Sequence, residues 1–259
     1  MKNSMKKILS LLLSLFFLTQ LMGASLVDSL QNEISIGNSL YQKGNYEGAL
    51  EHYLKVVDNQ YKNSNLYYNI GNAYYKLEEL GNAILWYERA LLLSPNNADI
   101  KHNIAFVNQE LEDKIDHLPQ LFITGWYNFL SQLFNSKQWA IVSIIAAFLL
   151  VASILGYLFI RHRVSQHLLI SLAVISLILS ILSTHFSYHQ INSRIKKPQA
   201  IVMSSVITGK STPDEKGTDL FVIHEGLKVA ITDQLNDWVE IQLPNGEKGW
   251  VNYQAVEKI

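Results

Sequence analysis

The chain has 259 residues and a formal net charge of -1, with 17% charged and 49% hydrophobic residues. This balance gives no basic field of the kind that nucleic acid requires. Typical soluble chains contain about 25% charged residues, so the low fraction indicates soluble parts joined to membrane-buried ones. The sequence contains no cysteine, which excludes disulfides, thiol catalysis and thiol redox sensing within the chain.

The first 24 residues predict a secretory signal peptide. Three lysines within the first seven residues precede an apolar run over residues 8–18, and small residues follow at 23–25. The apolar run is shorter than the roughly 20 residues that span a bilayer. We therefore expect cleavage after Ala24 and a mature protein that begins outside the cytoplasm. An uncleaved signal anchor is the alternative.

The next segment carries a repeat. Three pairs of identical residues lie 34 positions apart: Gly37 and Gly71, Ala49 and Ala83, and Tyr53 and Tyr87. A 34-residue helix–turn–helix period is typical of the tetratricopeptide (TPR) repeat, which this segment resembles. The resemblance implies an all-α TPR solenoid over residues 25–117, with repeats at about 30–63 and 64–97 and a capping helix at 98–113. The small residues would let antiparallel helices approach closely.

The TPR resemblance also implies a docking surface for a peptide or protein on the first helix of each pair. The side chains expected on its concave face are Asn38, Tyr41, Asn69, Asn72, Tyr75 and Lys76. Some family members clamp a terminal carboxylate with asparagines and cations, but three cation positions here hold Ile34, Asp99 and Asn103. A carboxylate would gain little charge-assisted bonding without those cations, so we reject that ligand class. The asparagines are expected either to bind peptide backbone or to hydrogen-bond between repeats.

The middle of the chain predicts a membrane hairpin. An amphipathic, aromatic-rich linker at 118–138 is expected to lie at the membrane interface, or alternatively to stack on the repeats. Two uncharged segments at 139–160 and 168–187 approach the length of a bilayer span and predict two transmembrane helices. The short loop 161–167 contains two arginines and is expected to be cytoplasmic, so both soluble parts would lie on the outer side.

The C-terminal residues 200–259, after a linker at 188–199, show the alternating pattern of short β-strands. Gly226, Trp238-Val239 and Gly249-Trp250-Val251 resemble the bacterial SH3-like family. The resemblance implies a small all-β SH3-like barrel that binds peptides or cell-wall material. Its candidate surface residues are Trp238 and Trp250, which are equally consistent with a core position.

Taken together, the signal peptide, repeats, two-span hairpin and barrel resemble the TPR proteins of the Bat (Bacteroides aerotolerance) operon, the BatE family. That resemblance implies a multi-pass protein of the bacterial inner (cytoplasmic) membrane with its TPR and SH3-like domains on the periplasmic side. The implied partners are membrane-anchored Bat proteins with von Willebrand A domains and an AAA ATPase of the MoxR type. The implied setting is aerotolerance or envelope stress.

The predicted function is that of a non-catalytic membrane scaffold whose TPR groove binds a partner protein. The alternative is a cell-wall or peptide binding module that acts through the SH3-like domain. No hydrolase, zinc-protease or phosphate-loop motif occurs, so we predict no enzyme activity and no cofactor. His185 and His189 have a spacing that can hold a metal, but no third ligand is evident and no metal site is predicted.

Overall fold

The structure is a computed structural model that describes residues 28–115, 122–160, 162–196 and 198–259. The side chains at 122–124, 164 and 193–196 lie outside that description, as does the whole of the predicted signal peptide. The chain divides between Glu79 and Leu80 into two compact units.

The first unit contains three described helices: α1 (28–42), α2 (Tyr46–Asp58) and α3 (Ser64–Lys76). Asparagine side chains cap the N-termini of α2 and α3. The Oδ1 atoms of Asn45 and Asn63 accept hydrogen bonds from backbone N–H groups of the first helical turn, which have no partner within the helix. Local chemistry thus sets the start of each helix.

The 34-residue period recurs in the backbone of the turns. Gly44 follows α1 with φ +79°, and Glu78, 34 positions later, follows α3 with φ +63°. In both turns the N–H of the next residue donates to the carbonyl five residues earlier, at 3.0 Å. A left-handed backbone costs a non-glycine residue roughly 1 kcal/mol. The turn geometry is therefore imposed at Glu78 by the repeat and not by the preference of the residue.

Helices α1 and α2 are in close contact at Gly37. A Cβ atom at this position would lie 2.5 Å from Cε1 of Tyr53, so the tyrosine ring packs directly on bare backbone. Tyr53 is only 1% exposed. Glu33 and His52 add a side-chain contact of 2.6 Å between the same two helices. Gly37 is thus a packing position between helices, which is the role that the repeat pattern predicts for its small residues.

The second unit begins with the helices α4 (Leu80–Leu93) and α5 (Ala98–Glu110). The prediction extended α5 to residue 113, but the helix ends at Glu110 because Leu111 turns to an extended backbone. The Leu111 side chain packs against Gly226, where a Cβ atom would lie 2.5 Å from its Cδ2. Leu111 thus leaves the helix and contacts the C-terminal domain.

Three further helices follow: α6 (Phe122–Ser131), α7 (Ser136–Phe159) and α8 (Arg163–Lys196). Ser136–Phe159 and Ser165–Asn192 are long and apolar enough to cross a membrane. Helix α7 begins three residues before the predicted span because Asn135 and Gln138 form a capping box, in which each side chain bonds the backbone of the other.

Helix α8 is longer than the predicted span at 168–187. It begins at Arg163, so residues 160–162 alone connect it to α7, where a loop at 161–167 was expected. It then continues to Lys196, through most of the predicted linker at 188–199. The chain between α7 and Pro198 contains neither glycine nor proline, and proline disfavours a helical conformation at the residue before it.

Hydroxyl side chains join α7 to α8. Ser143 and Thr184 form a hydroxyl–hydroxyl hydrogen bond of 2.7 Å, and the Ser187 hydroxyl donates to the Ser136 carbonyl at 2.9 Å. At the base of the hairpin, Asn135 Nδ2 donates to a carbonyl at the end of α4 at 2.8 Å. These bonds fix the hairpin and connect it to the preceding helices.

The C-terminal domain is a seven-stranded antiparallel sheet with the order β3-β2-β6-β5-β4-β1-β7. The strands are β1 (Gln199–Val202), β2 (Val206–Lys210), β3 (Asp219–His224), β4 (Lys228–Leu235), β5 (Trp238–Gln242), β6 (Lys248–Asn252) and β7 (Val256–Lys258). Alternate residues form its core, among them Val229, Val239, Ile241 and Val251.

The sheet is open, whereas the sequence predicted a closed SH3-like barrel. Within residues 198–259, the end strands β3 and β7 do not pair with each other. Side chains from outside the sheet form hydrogen bonds with backbone groups of both end strands instead. The His224 N–H donates to Asp113 Oδ2 at 2.6 Å, and Arg89 donates to the Lys258 carbonyl at 2.8 Å. These bonds satisfy backbone groups that a neighbouring strand would otherwise need to pair.

Candidate functional site

Two clefts lie on the surface of the first unit. The smaller, of about 330 Å³, is lined by Asn38, Tyr41, Gln42, Tyr53, Asn69 and Asn72. The larger, of about 490 Å³, shares the asparagines at 38 and 69 and adds Gln31, Ile34, Tyr61, Asn63, Asn65, Leu66 and Tyr68. Every one of these side chains is an amide, a phenol or an aliphatic group, and none carries a charge.

Asn38 lies where the two clefts meet. Its Oδ1 atom accepts a hydrogen bond from the Tyr53 hydroxyl at 2.8 Å and another from Asn69 Nδ2 at 3.1 Å. Burial and, to a smaller extent, the neighbouring Tyr41 together raise the pKa of Tyr53 to about 12, so the phenol stays protonated and donates. Because its oxygen is used twice, Asn38 has its Nδ2 group to offer as a donor to a ligand.

Four of the six predicted groove residues line these clefts: Asn38, Tyr41, Asn69 and Asn72. Tyr41 is half-buried, and its ring meets Tyr46 edge to face with centroids 5.2 Å apart. Burial raises the pKa of Tyr41, with smaller contributions from Tyr46 and Tyr68. The smaller cleft therefore has a neutral, partly apolar wall.

The other two predicted residues, Tyr75 and Lys76, line neither cleft. Lys76 is exposed, and its Nζ atom lies 6.0 Å from the centroid of the Tyr75 ring. Conversely, Gln42 lines the smaller cleft without having been predicted. Gln42 follows Asn38 by four residues, which places both on one face of α1, so helical spacing could have identified it.

Comparison with known protein families identifies the helical part. Residues 34–98 match the tetratricopeptide repeat family. This chain contains tetratricopeptide repeats. No curated protein matches it. TPR domains in general bind protein partners and are typically non-catalytic, so the matched region is a protein–protein interaction module. The match includes four of the cleft residues that the sequence analysis predicted.

Outside the TPR region, Trp238 and Trp250 lie on one face of the sheet. In the register of β5 and β6, Val239 pairs with Val251 on the buried face, and Glu240 pairs with Trp250 on the other. The two tryptophans are therefore diagonal neighbours opposite the core, and both are half-buried. Neither is a core residue, which was one of the two expectations for them.

Glu240 supports the tryptophan face. It accepts hydrogen bonds from the Thr232 hydroxyl and, at 3.1 Å, from Lys248 Nζ. The hydrogen bond from Thr232, followed by Lys248, lowers the pKa of Glu240. The carboxylate is therefore held ionised beside Trp250, which gives this face a fixed negative group next to an aromatic one.

The histidine pair in α8 has a structural role. His185 Nε2 lies 3.0 Å from the Tyr127 hydroxyl, and the His189 ring meets the Tyr127 ring edge to face with centroids 5.1 Å apart. Both contacts tie α6 to α8. In the described part of the chain, no group of three histidine or acidic side chains is placed to hold a metal ion.

Charged side chains join helix α4 to the sheet. Lys228 Nζ lies 2.7 Å from Glu88 Oε2, and the Glu88 side chain is only 9% exposed. Arg89 forms an ion pair of 2.8 Å with Glu257. The sequence analysis missed these residues because each partner is remote in the chain. The one local signal was a glutamate among the apolar positions of α4.

His224 forms a further ionic contact between the sheet and the segment after α5. Its Nδ1 atom lies 3.0 Å from Asp113 Oδ1, and its Nε2 atom lies 3.4 Å from Glu112 Oε1. The hydrogen bond to Asp113, with the charges of Glu112 and Asp113, raises the pKa of His224 above its ordinary value, and desolvation opposes this increase. The protonated imidazole is thus the form that the fold favours.

This contact predicts a pH dependence. The contribution of protonated His224 to folding stability is complete below the pKa of unfolded histidine, about 6.5. This contribution is lost as the pH rises through the higher pKa of His224 in the folded state. We expect the thermal midpoint to fall between about pH 6 and pH 9 by more in the wild type than in His224→Gln, which keeps a donor but cannot titrate. Equal pH profiles by circular dichroism would contradict the role of His224.

Proposed function

We propose that this chain is a non-catalytic, membrane-anchored scaffold whose TPR groove binds an extended, uncharged segment of a partner protein. The observation that carries the proposal is the pair of clefts that meet at Asn38, because their described lining is wholly uncharged. The TPR match and the two helices long enough to cross a membrane support the scaffold and its anchor.

The chemistry of the lining matches a peptide backbone. Each peptide unit offers an N–H donor and a C=O acceptor, and asparagine and glutamine side chains carry both functions. Tyrosine rings provide apolar surface with a polar tip, which suits aliphatic or proline side chains of a ligand. A carboxylate or phosphate on the ligand would find no cation here and would lose its hydration without compensation.

We further propose that the scaffold works in an envelope assembly of the Bat type. The order of repeats, hairpin and C-terminal β-domain supports this proposal through its resemblance to BatE-like proteins. The partners would then be membrane-anchored von Willebrand A proteins, met on the periplasmic side of the inner membrane. Exposed Trp126 and Phe129 on α6 support the proposal that this segment lies at the membrane interface.

A second candidate function belongs to the sheet domain, as a binder of peptide or cell-wall material. The observation that favours it is the position of Trp238 and Trp250 as neighbours on the face opposite the core. Aromatic side chains on an open face can stack on sugar rings or apolar peptide side chains. In this alternative, the TPR region supports the sheet domain and does not hold the partner.

The uncharged groove predicts that partner capture is insensitive to salt. Raising the salt from about 0.1 M to about 1 M shortens the Debye length from about 10 Å to about 3 Å and screens exposed charges. We expect the partner retained on immobilised full-length protein to change by less than about twofold over this range, because no cleft residue makes an ionic contact. A loss of tenfold or more in quantitative mass spectrometry would contradict a neutral groove.

A further inference from the structure

One face of helix α4 contacts the sheet domain. Gly81, Ile84 and Glu88 are spaced by three and four residues and therefore share one side of the helix. The Gly81 N–H donates to Glu225 Oε1 at 3.0 Å, and a Cβ atom at Gly81 would lie 2.6 Å from that oxygen. A side chain at position 81 would therefore displace the Glu225 carboxylate. The turn between β3 and β4 thus sits directly on the first turn of α4.

The next turns of the same face complete the contact. The Ile84 side chain is 1% exposed, and its Cδ1 lies 3.4 Å from where a Cβ atom of Gly226 would be. One turn later, Glu88 accepts a hydrogen bond of 2.7 Å from Lys228. An apolar contact and an ion pair therefore follow each other along one helix face, and both are made to residues 225–228 of the sheet domain.

Helical repeat arrays need such a cover at their ends. Each helix pair buries its apolar side only against a neighbour, and about three repeats are usually needed for stability. The described residues supply helices for two repeat copies and the additional helix α5, which is fewer than three repeats, so the array needs a further cover. The sheet domain contacts this end of the array through α4 and through Leu111.

We propose that the sheet domain is the C-terminal cap of the TPR array, and that the Glu88–Lys228 pair sets the register in which it docks. A carboxylate as buried as Glu88 is stable only with a partner, and any shifted docking would leave it unpaired. The Glu88–Lys228 pair therefore destabilises shifted arrangements of the sheet domain on α4 more than it stabilises the observed arrangement. This proposal is independent of what the groove binds.

Charge reversal in the full-length protein tests the register. We expect Glu88→Lys and Lys228→Glu each to accelerate amide hydrogen exchange in α4 by tenfold or more, since each juxtaposes like charges at a buried position. The double variant should return to within about threefold of the wild type, because it restores an opposite pair. Lys210→Glu is the matched control, since it breaks the 2.6 Å pair with Asp219 inside the sheet and should leave α4 unchanged.

Single variants that exchange within twofold of the wild type, or a double variant as fast as the singles, would overturn the proposal.

A second measurement remains decisive if the single variants fail to fold. The chain has no cysteine, so Gly81→Cys with Glu225→Cys introduces one unique pair. A Cβ atom at Gly81 lies 2.7 Å from Glu225 Cγ, the atom whose place a cysteine Sγ would take, so the two introduced side chains are within reach of a disulfide. A docked cap predicts a disulfide under mild oxidation, and its absence in folded protein would contradict docking.

Discussion

Replacing Gly37 by leucine is expected to lower the unfolding free energy of the first helical pair by more than about 3 kcal/mol, above the usual range for overpacking. The reason is that a Cβ atom alone would lie 2.5 Å from the ring of Tyr53. That ring is 1% exposed, and its hydroxyl is bonded to Asn38, so it can move away only by giving up its packing and that hydrogen bond. The helices must separate, and the Asn38 hydrogen bonds would be lost with the contact.

Amide hydrogen exchange in purified full-length protein measures this effect within α1 and α2. The matched control is Gly125→Leu in α6, where a Cβ atom would meet nothing within 4 Å. Removing a helical glycine there should be neutral or stabilise the helix by up to about 1 kcal/mol. Equal protection in the Gly37 and Gly125 variants would show that Gly37 is not a packing position.

Asn38→Asp is expected to reduce partner capture by tenfold or more while the repeat stays folded. The aspartate keeps an oxygen that can accept from the Tyr53 hydroxyl and from Asn69 Nδ2, so the internal hydrogen bonds survive. It removes the Nδ2 donor and places a charge in a wholly neutral groove. A ligand backbone carbonyl would then face a carboxylate, which repels it.

Asn45→Asp controls for the charge. Asn45 caps α2, and an aspartate caps a helix as well as an asparagine does, so this variant makes the same chemical change outside the clefts. Capture should stay at the wild-type level. If both variants lose capture equally, net charge explains the loss and the groove does not. If neither does, Asn38 is only an internal packing group of the repeats.

The repeats were predictable because their signal is local. The 34-residue period places helices and turns, and it also explains why Glu78 adopts the backbone conformation that Gly44 adopts earlier. The asparagines that cap α2 and α3 directly precede these helices in the sequence, so this signal is also local. Cleft residues at positions 38, 41, 69 and 72 were expected from the resemblance to TPR proteins, whose first helices line the groove.

The remaining features were not predictable because they depend on residues far apart in the chain. Alternation predicts strands, but it does not reveal whether the end strands pair with each other. Here Asp113 accepts a hydrogen bond from a backbone N–H of end strand β3, and Arg89 donates to a backbone carbonyl of end strand β7. The sheet stays open. The uncharged run in α8 ends before its last turns, whereas the helix continues to Lys196 because no glycine or proline interrupts its backbone.

The central claim is that the TPR groove, and not the sheet domain, holds the partner. Photo-crosslinking in intact membranes tests it most directly, with a photoreactive phenylalanine analogue placed at Tyr41 in the smaller cleft or at Trp250 on the sheet. The account predicts a discrete protein adduct from position 41 that disappears in Asn38→Asp and persists in Asn45→Asp. Adducts from position 250 alone, to protein or to wall material, would contradict it and assign the function to the sheet domain.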